Sequence, residues 1–282
     1  MKKIVLPTDF SETAMNAIKY AVKLFENDLC RFYILHAYQQ DVYESDVLIT
    51  KENLHEVTKT ANENSQIHLK KALKQIKELS PNPKHNYKIM SANNILVDEV
   101  DEIVEERDID LVVMGTHGKT NNSKLTFGSH TLQVLKYIKC PVLVIPKGYK
   151  YTVPKEIVFS TDFSMPYQQR ELDFLSEIAS DYQAQIDVLY VSELKKLSLR
   201  EKKNKHFIEE SFKNNKTSFI TVDGKNIIDT IRIFVKNHPT DLLVMINRRH
   251  SFLENILFQD TINKMGLSID IPFFVLQNIN RK

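Results

Sequence analysis

Residues 3–11 read KIVLPTDFS, and residues 156–164 read EIVFSTDFS. Each stretch opens with a short apolar run that is typical of a buried strand and closes with Thr-Asp-Phe-Ser, which favours a turn into a helix. Two later segments also recur, residues 108–114 (DIDLVVM) as 239–245 (PTDLLVM) and residues 140–145 (CPVLVI) as 271–276 (IPFFVL). The chain is therefore predicted to contain two copies of one unit.

The spacing of these matches predicts where the copies differ. The first pair is 153 residues apart and the other two are 131 residues apart, so the first copy is predicted to hold 22 extra residues between its first and fourth strands. Residues 39–60 are the natural place for most of them. The predicted domains span residues 1–148 and 152–282, and residues 146–154 form the seam.

Apolar runs alternate with helical patterns in both copies. In the first copy we predict strands over residues 4–7, 31–38, 87–90, 111–114 and 142–145, with helices over 11–25, 52–79, 94–106 and 129–138. The second copy repeats this order and ends with a helix over 260–267 and a strand over 273–276. Uninterrupted apolar strands between helices indicate an α/β fold with two tandem five-stranded parallel sheets, in a flavodoxin-like or Rossmann-like winding.

Composition excludes several classes of protein. The 282 residues carry a net charge of only +2, which predicts no broad attraction to nucleic acid or to an anionic membrane. The opening apolar run is too short for a signal peptide, and no run approaches the roughly 18 residues that a membrane helix needs. We therefore expect a cytoplasmic protein. Cys30 and Cys140 are too few for a disulfide framework and are predicted to be buried free thiols.

The glycines indicate a ligand site. Three of the six glycines in the chain, Gly115, Gly118 and Gly128, lie within 14 residues directly after the fourth predicted strand, and a helix is predicted to start at Ser129. Glycine permits positive φ and lets a ligand approach the backbone, and a helix start attracts phosphate. Ligands of open parallel sheets bind beyond the carboxyl ends of the strands. A phosphate site is one interpretation, and an ordinary surface turn before a capped helix is the other.

Two familiar phosphate motifs do not fit this segment. Gly118-Lys119-Thr120 resembles the end of a P-loop, but that motif needs a glycine where this chain has Val113. The dinucleotide pattern G-x-G-x-x-G fails because two residues separate Gly115 from Gly118. No serine, histidine and acid motif suggests a hydrolase, and His36, in a predicted strand, is interpreted as a hydrogen-bonded core residue.

The chain resembles the universal stress protein family, whose ATP-binding members carry G-x2-G-x9-G-[S/T] between the fourth strand and the last helix. Gly115, Gly118, Gly128 and Ser129 match that spacing at every position. The family's first strand also ends in an aspartate that is soon followed by serine, as at Asp9, and its last strand reads like residues 140–144. The resemblance covers essentially the whole chain as a tandem pair.

The resemblance implies ATP as the ligand of the first copy, with Mg or Mn at the phosphates. Asp9 would lie at the adenosine, and the backbone of Ala37 would meet the adenine. His130 stands where family members often have Ser or Thr. The implied binding set is Pro7, Thr8, Asp9, Ala37, Met114, Gly115, Gly118, Gly128, Ser129 and His130, with no catalytic residue and no residue assigned to a metal.

The second copy departs from the family motif. At the offset of 131, Ile246, Arg249, Gln259 and Asp260 stand where the first copy has Gly115, Gly118, Gly128 and Ser129. A carboxylate at the predicted helix start would repel phosphate, so we expect no ATP there. Asp162 is retained and is predicted to cap the helix that follows it. Arg248, Arg249 and His250 are interpreted as a solvated basic loop.

The leading hypothesis is an ATP-binding protein with a regulatory or protective role in stress, and not an enzyme. One alternative is a slow ATPase or phosphotransferase that uses Asp9 with a divalent metal. Another is an interaction scaffold that binds no nucleotide. In the family, closing strands pair across a dimer; here residues 142–145 and 273–276 are predicted to pair within one chain as an internal pseudo-dimer, and a homodimer is a further possibility.

Overall fold

The computed structural model describes residues 1–43, 50, 53–116, 127–164, 166–192, 196–247 and 270–277. They divide into two compact units, one formed by described residues of Met1–Asn122 and Phe127–Lys150 and the other by those of Tyr151–Lys282. No helix within these ranges is long and apolar enough to cross a membrane.

The first unit alternates strands and helices. The strands are β1 (Lys2–Pro7), β2 (Cys30–Ala37), β3 (His85–Ala92), β4 (Leu111–Gly115) and β5 (Val142–Ile145). The helices are α1 (Glu12–Leu24), α2 (Gln39–Tyr43), α3 (Leu54–Leu79), α4 (Leu96–Arg107) and α5 (Ser129–Tyr137). The strands lie in the order β3-β2-β1-β4-β5, and every neighbouring pair is parallel.

Burial explains the apolar strands of this unit. Ile4, Val5 and Leu6 of β1 are fully buried, as are Leu111 and Val112 of β4. Strands at the centre of a parallel sheet are covered on both faces by helices, so both of their faces must be apolar. The predicted fold class is confirmed.

The second unit repeats the pattern. Its strands are β6 (Glu156–Ser160), β7 (Gln185–Ser192), β8 (Lys216–Asp223), β9 (Leu242–Asn247) and β10 (Phe273–Gln277). Its described helices are α6 (Gln169–Tyr182), α7 (Leu199–Ser211) and α8 (Ile227–Asn237). The strand order is β10-β9-β6-β7-β8, again with parallel neighbours. The helix predicted over residues 260–267 lies outside the described residues.

The strand registers locate the insertion in the first unit. Ile4 pairs with Leu111 and Ile157 pairs with Leu242, which reproduces the offsets of 153 and 131 read from the sequence. By the same registers the offset is 154 at β2 and 130 at β3, so the first unit gains 24 residues between these two strands. They supply α2 and much of α3, which has 26 residues where α7 has 13.

Both cysteines are buried free thiols, as predicted. Burial raises the pKa of the Cys30 thiol to about 12, because the surrounding protein disfavours the thiolate.

We expect neither thiol to react with an aromatic disulfide reagent at pH 8 while the protein is folded. Two equivalents should react after denaturation, since both thiols then become accessible. Absorbance of the released thiolate measures the reaction, with the denatured protein as control. Rapid reaction of one thiol in the native protein would contradict this burial.

Candidate functional site

The strand order of the first unit creates a switch point between β1 and β4. From β1 the chain moves outward to β2 and β3, and it then returns to β4 on the opposite side of β1 before continuing to β5. Such a reversal leaves a crevice at the carboxyl ends of the two central strands, which is the usual binding position in open α/β sheets.

A tight turn at the end of β1 places Asp9 at this edge. The Phe10 N–H donates to Thr8 Oγ1 at 2.9 Å, and the Ser11 N–H donates to Asp9 Oδ1 at 3.1 Å. Phe10 adopts the left-handed conformation with φ of 64°. Ser11 then caps α1 by accepting a hydrogen bond from the Ala14 N–H at 3.2 Å, as predicted. Side-chain acceptors within the turn therefore fix its shape.

The second unit forms nearly the same turn without capping a helix. Thr161 and Asp162 accept the N–H groups of Phe163 and Ser164 at 3.1 and 2.9 Å, and Phe163 is again left-handed with φ of 53°. The Ser164 hydroxyl, however, donates to the Asp162 carboxylate at 2.8 Å. The N-cap of α6 is Gln168, so the prediction that Asp162 caps this helix is wrong. In both units the aspartate serves the turn.

Gly115 allows α1 to approach the end of β4. A Cβ atom at this position would lie 2.7 Å from Thr13 Cγ2 and 3.1 Å from two backbone atoms of Thr13. Only glycine therefore fits without displacing the first turn of α1. In the second unit Ile246 occupies the corresponding position, and α6 begins at Gln169, four residues later in the repeat than α1.

Hydrogen bonds fasten the start of α5 to the end of β4. The Gly128 N–H donates to the Thr116 carbonyl at 2.8 Å, and the Thr116 N–H donates to the Ile145 carbonyl at 3.0 Å. The buried Thr131 hydroxyl donates to the carbonyls of Gly115 and Thr116 at 3.0 and 3.2 Å. The first turn of α5 is thus held against the edge that carries the crevice.

The start of α5 lacks a side-chain cap. Gly128 is its N-cap with φ of −69° and ψ of 162°, a conformation open to any residue, and no side chain among the described residues caps the first N–H groups. Ser129 and His130 in the first turn are exposed. Positive φ is therefore not the reason for glycine at position 128. Glycine at this position places no side chain of its own over the first N–H groups, where the positive end of the helix dipole attracts anions.

The structure brings most of the predicted site residues to the carboxyl edge of three neighbouring strands, β2, β1 and β4. Gly118 lies outside the described residues, as do His117, Lys119, Arg248, Arg249, His250, Gln259 and Asp260. The residues at the edge are Pro7, Thr8 and Asp9 after or at the end of β1, Ala37 at the end of β2, Met114 and Gly115 in β4, and Gly128, Ser129 and His130 at the start of α5.

The motif reasoning missed a polar cleft beside Asp9. It has a volume of about 350 Å³, and its lining residues come from the end of β1, from β2, from α2 and from α3: Asp9, Phe10, Ser11, His36, Asp41, Asn64, Ser65 and His68. The Phe10 ring contacts both imidazoles, with centroids 4.5 Å from His36 and 5.2 Å from His68. The only sequence signal was the insertion itself, because α2 and the first half of α3 supply much of this wall.

His36 is buried and hydrogen-bonded, as the sequence predicted. Its Nδ1 lies 2.9 Å from Ser65 Oγ, and its Nε2 lies 3.4 Å from Asp41 Oδ2. These three residues are the constituents of a hydrolytic triad, but Ser65 is only 1% exposed. A substrate has no access to the Ser65 hydroxyl in this arrangement.

Comparisons with known proteins agree with this fold. The Universal stress protein family model matches residues 1–146. Two universal stress proteins of Methanocaldococcus jannaschii are similar to the first half of the chain. One is 30% identical over 149 residues, covering 53% of this chain and 84% of the relative. The other is 31% identical over 155 residues, covering 52% and 95%.

A solved structure matches the chain as a whole. The crystal structure of a universal stress protein from Archaeoglobus fulgidus superposes with a TM-score of 0.68 over 99% of this chain and 97% of that chain, at 16% identity. At that identity the likeness supports the fold alone. The two-unit α/β architecture with a crevice at the strand ends belongs to the class of Rossmann-like folds. Within that class, this chain belongs to the universal stress protein family of stress-response proteins.

Replacing Gly115 with alanine is expected to destabilise the first unit by about 1–3 kcal/mol, because the new methyl group overlaps Thr13. The second substitution Thr13→Ser removes the nearest clashing atom and should restore part of the loss. Urea unfolding of the single and double variants measures both effects.

Gly128→Ala is the matched control for Gly115→Ala. The backbone of Gly128 is ordinary, so alanine should change the unfolding midpoint much less there. An equal loss of stability in the two variants, or no rescue by Thr13→Ser, would contradict the close-approach role of Gly115.

Proposed function

We propose that the first unit binds ATP with Mg or Mn at the carboxyl edge of its sheet, and that the second unit does not. One observation carries the proposal: the uncapped start of α5 is fastened by the Gly128–Thr116 hydrogen bond beside the switch point of the sheet. Membership of the universal stress protein family and the match to its ATP-binding glycine motif support the choice of ATP over other anions.

The phosphates would lie at the start of α5. The N–H groups of Ser129 and His130 and the Ser129 hydroxyl are suitable donors, and the helix dipole adds attraction for the negative charge. A bound divalent cation would neutralise part of the triphosphate charge, with the phosphates and water as its main oxygen ligands. The exposed His130 adds a positive charge near the phosphates when it is protonated.

The adenosine would lie toward Asp9 and Ala37. The carboxylate of Asp9 is positioned by the Ser11 N–H, and a carboxylate has enough lone pairs to accept a ribose hydroxyl as well. Ala37 ends β2, the neighbour of β1, so its backbone is close to the same edge. Gly115 lets the first turn of α1 approach the end of β4 at the same edge.

The second unit lacks the features that support binding in the first. Ile246 adds a large side chain at the position of Gly115. The side-chain amide of the buried Asn247 donates a hydrogen bond to Oε1 of the buried Gln277 at 3.0 Å. Two side chains of the chain itself therefore pair at the end of β9. The Asp162 carboxylate accepts both the N–H and the hydroxyl of Ser164. We therefore propose one nucleotide per chain.

The proposed role is binding and not catalysis. Fast phosphoryl transfer depends on positioned groups that stabilise charge on the transferred phosphate, such as an arginine finger, and on a residue that orients the nucleophile. Among the described residues at the crevice, Asp9 is the strongest candidate for such a group, and it already serves the turn. The nucleotide would act as a regulatory ligand of a cytoplasmic stress protein.

Adenine nucleotide should be found by mass spectrometry of small molecules released from the purified protein, and calorimetric titration with Mg-ATP should give one site per chain. Gly128→Val is expected to lower the affinity at least tenfold, because its side chain would cover the first N–H groups of α5 while its backbone remains in an allowed region. Circular dichroism should show unchanged folding.

Two results would overturn this assignment. One is full affinity in a folded Gly128→Val variant, which would move the phosphates away from α5. The other is the absence of binding by ATP, ADP and cyclic AMP to the wild-type protein, which would favour the scaffold interpretation.

Asp9→Asn and Asp162→Asn form a matched pair, because both aspartates accept a backbone N–H in the same turn. Asn keeps that acceptor, so both variants should fold. Asp9→Asn is expected to weaken ATP binding about tenfold through loss of a charged hydrogen bond, and Asp162→Asn should have no effect. Calorimetry measures the affinities, and phosphate release measures turnover. Rapid wild-type turnover that Asp9→Asn abolishes without weakening binding would favour the phosphotransferase alternative.

A further inference from the structure

A chain of hydrogen bonds connects the insertion to the sheet in the first unit. Ser91 of β3 donates from Oγ to Asn62 Oδ1 at 3.0 Å, and Ser91 Oγ lies 2.7 Å from Ser65 Oγ. Ser65 Oγ in turn lies 2.9 Å from His36 Nδ1 on β2. Asn62 and Ser65 both belong to the part of α3 that the second unit lacks.

With the Asn62 side-chain amide oriented so that its Oδ1 faces Ser91, the donors of this chain follow one order. A serine hydroxyl has one hydrogen, and that of Ser91 goes to the Asn62 carbonyl oxygen, so Ser91 must accept from Ser65. The Ser65 hydrogen is then used, and Ser65 must accept from His36. The hydrogen of the neutral His36 ring is therefore on Nδ1, and Nε2 carries a lone pair.

This tautomer has a consequence at Asp41. His36 Nε2 faces Asp41 Oδ2 of α2 at 3.4 Å, so a neutral His36 points one acceptor at another. Protonation of Nε2 supplies both a donor and a positive charge, and it converts a repulsive contact into an ion pair. The contact between the His36 and Asp41 side chains is therefore favourable only when His36 is protonated.

Two other titratable side chains lie near His36. One favours its protonation, and the other can be tested by a separate substitution. Asp9 at the end of β1 lines the same cleft and also favours a cation there. His68 on α3 contacts the Phe10 ring as well, with centroids 5.2 Å apart, and can be replaced independently of His36. The Asp41 side chain is 43% exposed, so its substitution tests the contact without disturbing the core.

The first unit alone has this arrangement. By strand register Tyr190 stands at the position of His36, and Phe163 contacts Tyr190 at 5.1 Å much as Phe10 contacts His36 at 4.5 Å. The packing of the turn on β2 is thus common to both units. The first unit differs in that the ring in contact with Phe10 is the titratable imidazole of His36. The carboxylate of Asp41, from the insertion, faces this imidazole.

We propose that His36 is a proton-controlled latch that fastens α2 over the cleft beside Asp9. Below the titration midpoint of His36 the imidazolium pairs with Asp41, and above it α2 is released. The effect on ATP rests on the proposed function, whereas the latch itself does not. Protonation also reduces the negative charge of the cleft, so ATP affinity should rise as the pH falls.

The latch is tested first without nucleotide. Imidazole ¹⁵N spectra of the full chain should show His36 with its proton on Nδ1 at pH 8 and on both nitrogens at lower pH. Asp41→Asn should move the midpoint of this titration to lower pH. Hydrogen exchange of residues 39–43, corrected for intrinsic rates, should be slower at pH 6 than at pH 8 in the wild type. The variant should lose that difference.

ATP affinity is tested second. The ratio of affinities at pH 6 and pH 8 is expected to be about fivefold larger in the wild type than in Asp41→Asn, a typical coupling between two sites. The variant carries the same change in ATP ionisation and so corrects for it. His68→Gln is the matched control, since it removes the other imidazole on Phe10 and should keep the wild-type ratio.

Several outcomes would overturn the latch. They are a neutral His36 with its proton on Nε2, an unchanged midpoint in Asp41→Asn, protection of α2 that does not depend on pH, and protection that disappears with a chelator, which would indicate a metal ion between the two residues. If the protein binds no nucleotide but the spectra and exchange behave as expected, only the proposed function fails.

Discussion

The candidate site depends on the hydrogen bond from the Gly128 N–H to the Thr116 carbonyl. It joins the start of α5 to the end of β4, so that an open helix terminus meets the switch point of the sheet. The Thr131 hydroxyl reinforces the junction by donating to the carbonyls of Gly115 and Thr116. The N-terminus of a short helix would attract an anion only weakly on its own; here the sheet fixes where that attraction is directed.

The duplicated chain separates structural roles from ligand roles. The Thr-Asp-Phe-Ser turn has the same side-chain acceptors and left-handed phenylalanine in both units, although only the first is proposed to bind ATP. An aspartate at this turn is therefore no evidence of binding by itself. The units differ at the end of β4 and β9, where Gly115 admits the first turn of α1, whereas the second unit has Ile246 and a helix that begins four residues later in the repeat.

The sequence predicted features that depend on local pattern. Repeated motifs such as residues 3–11 and 156–164 gave the tandem α/β fold, and the offsets of 153 and 131 agree with the strand registers. The sequence also predicted the site residues at strand ends, because the carboxyl ends of parallel strands lie at one edge of the sheet. The cap of α6 was predicted wrongly because Ser164 donates to Asp162 and the helix starts later. The His36–Ser65 contact joins residues 29 apart on different elements, which no local period reveals.

The insertion changes the chemistry of a cleft that the fold already provides. In both units the phenylalanine of the turn packs on a residue of the neighbouring strand. Phe10 packs on His36, and Phe163 packs on Tyr190. A tyrosine there is uncharged at neutral pH, whereas a histidine can change its charge. That change has an effect only if a group faces the ring, and α2 supplies Asp41. The longer α3 supplies Ser65, which fixes the tautomer. The proposed sensitivity to pH therefore requires both inserted helices together, since α2 supplies Asp41 and α3 supplies Ser65.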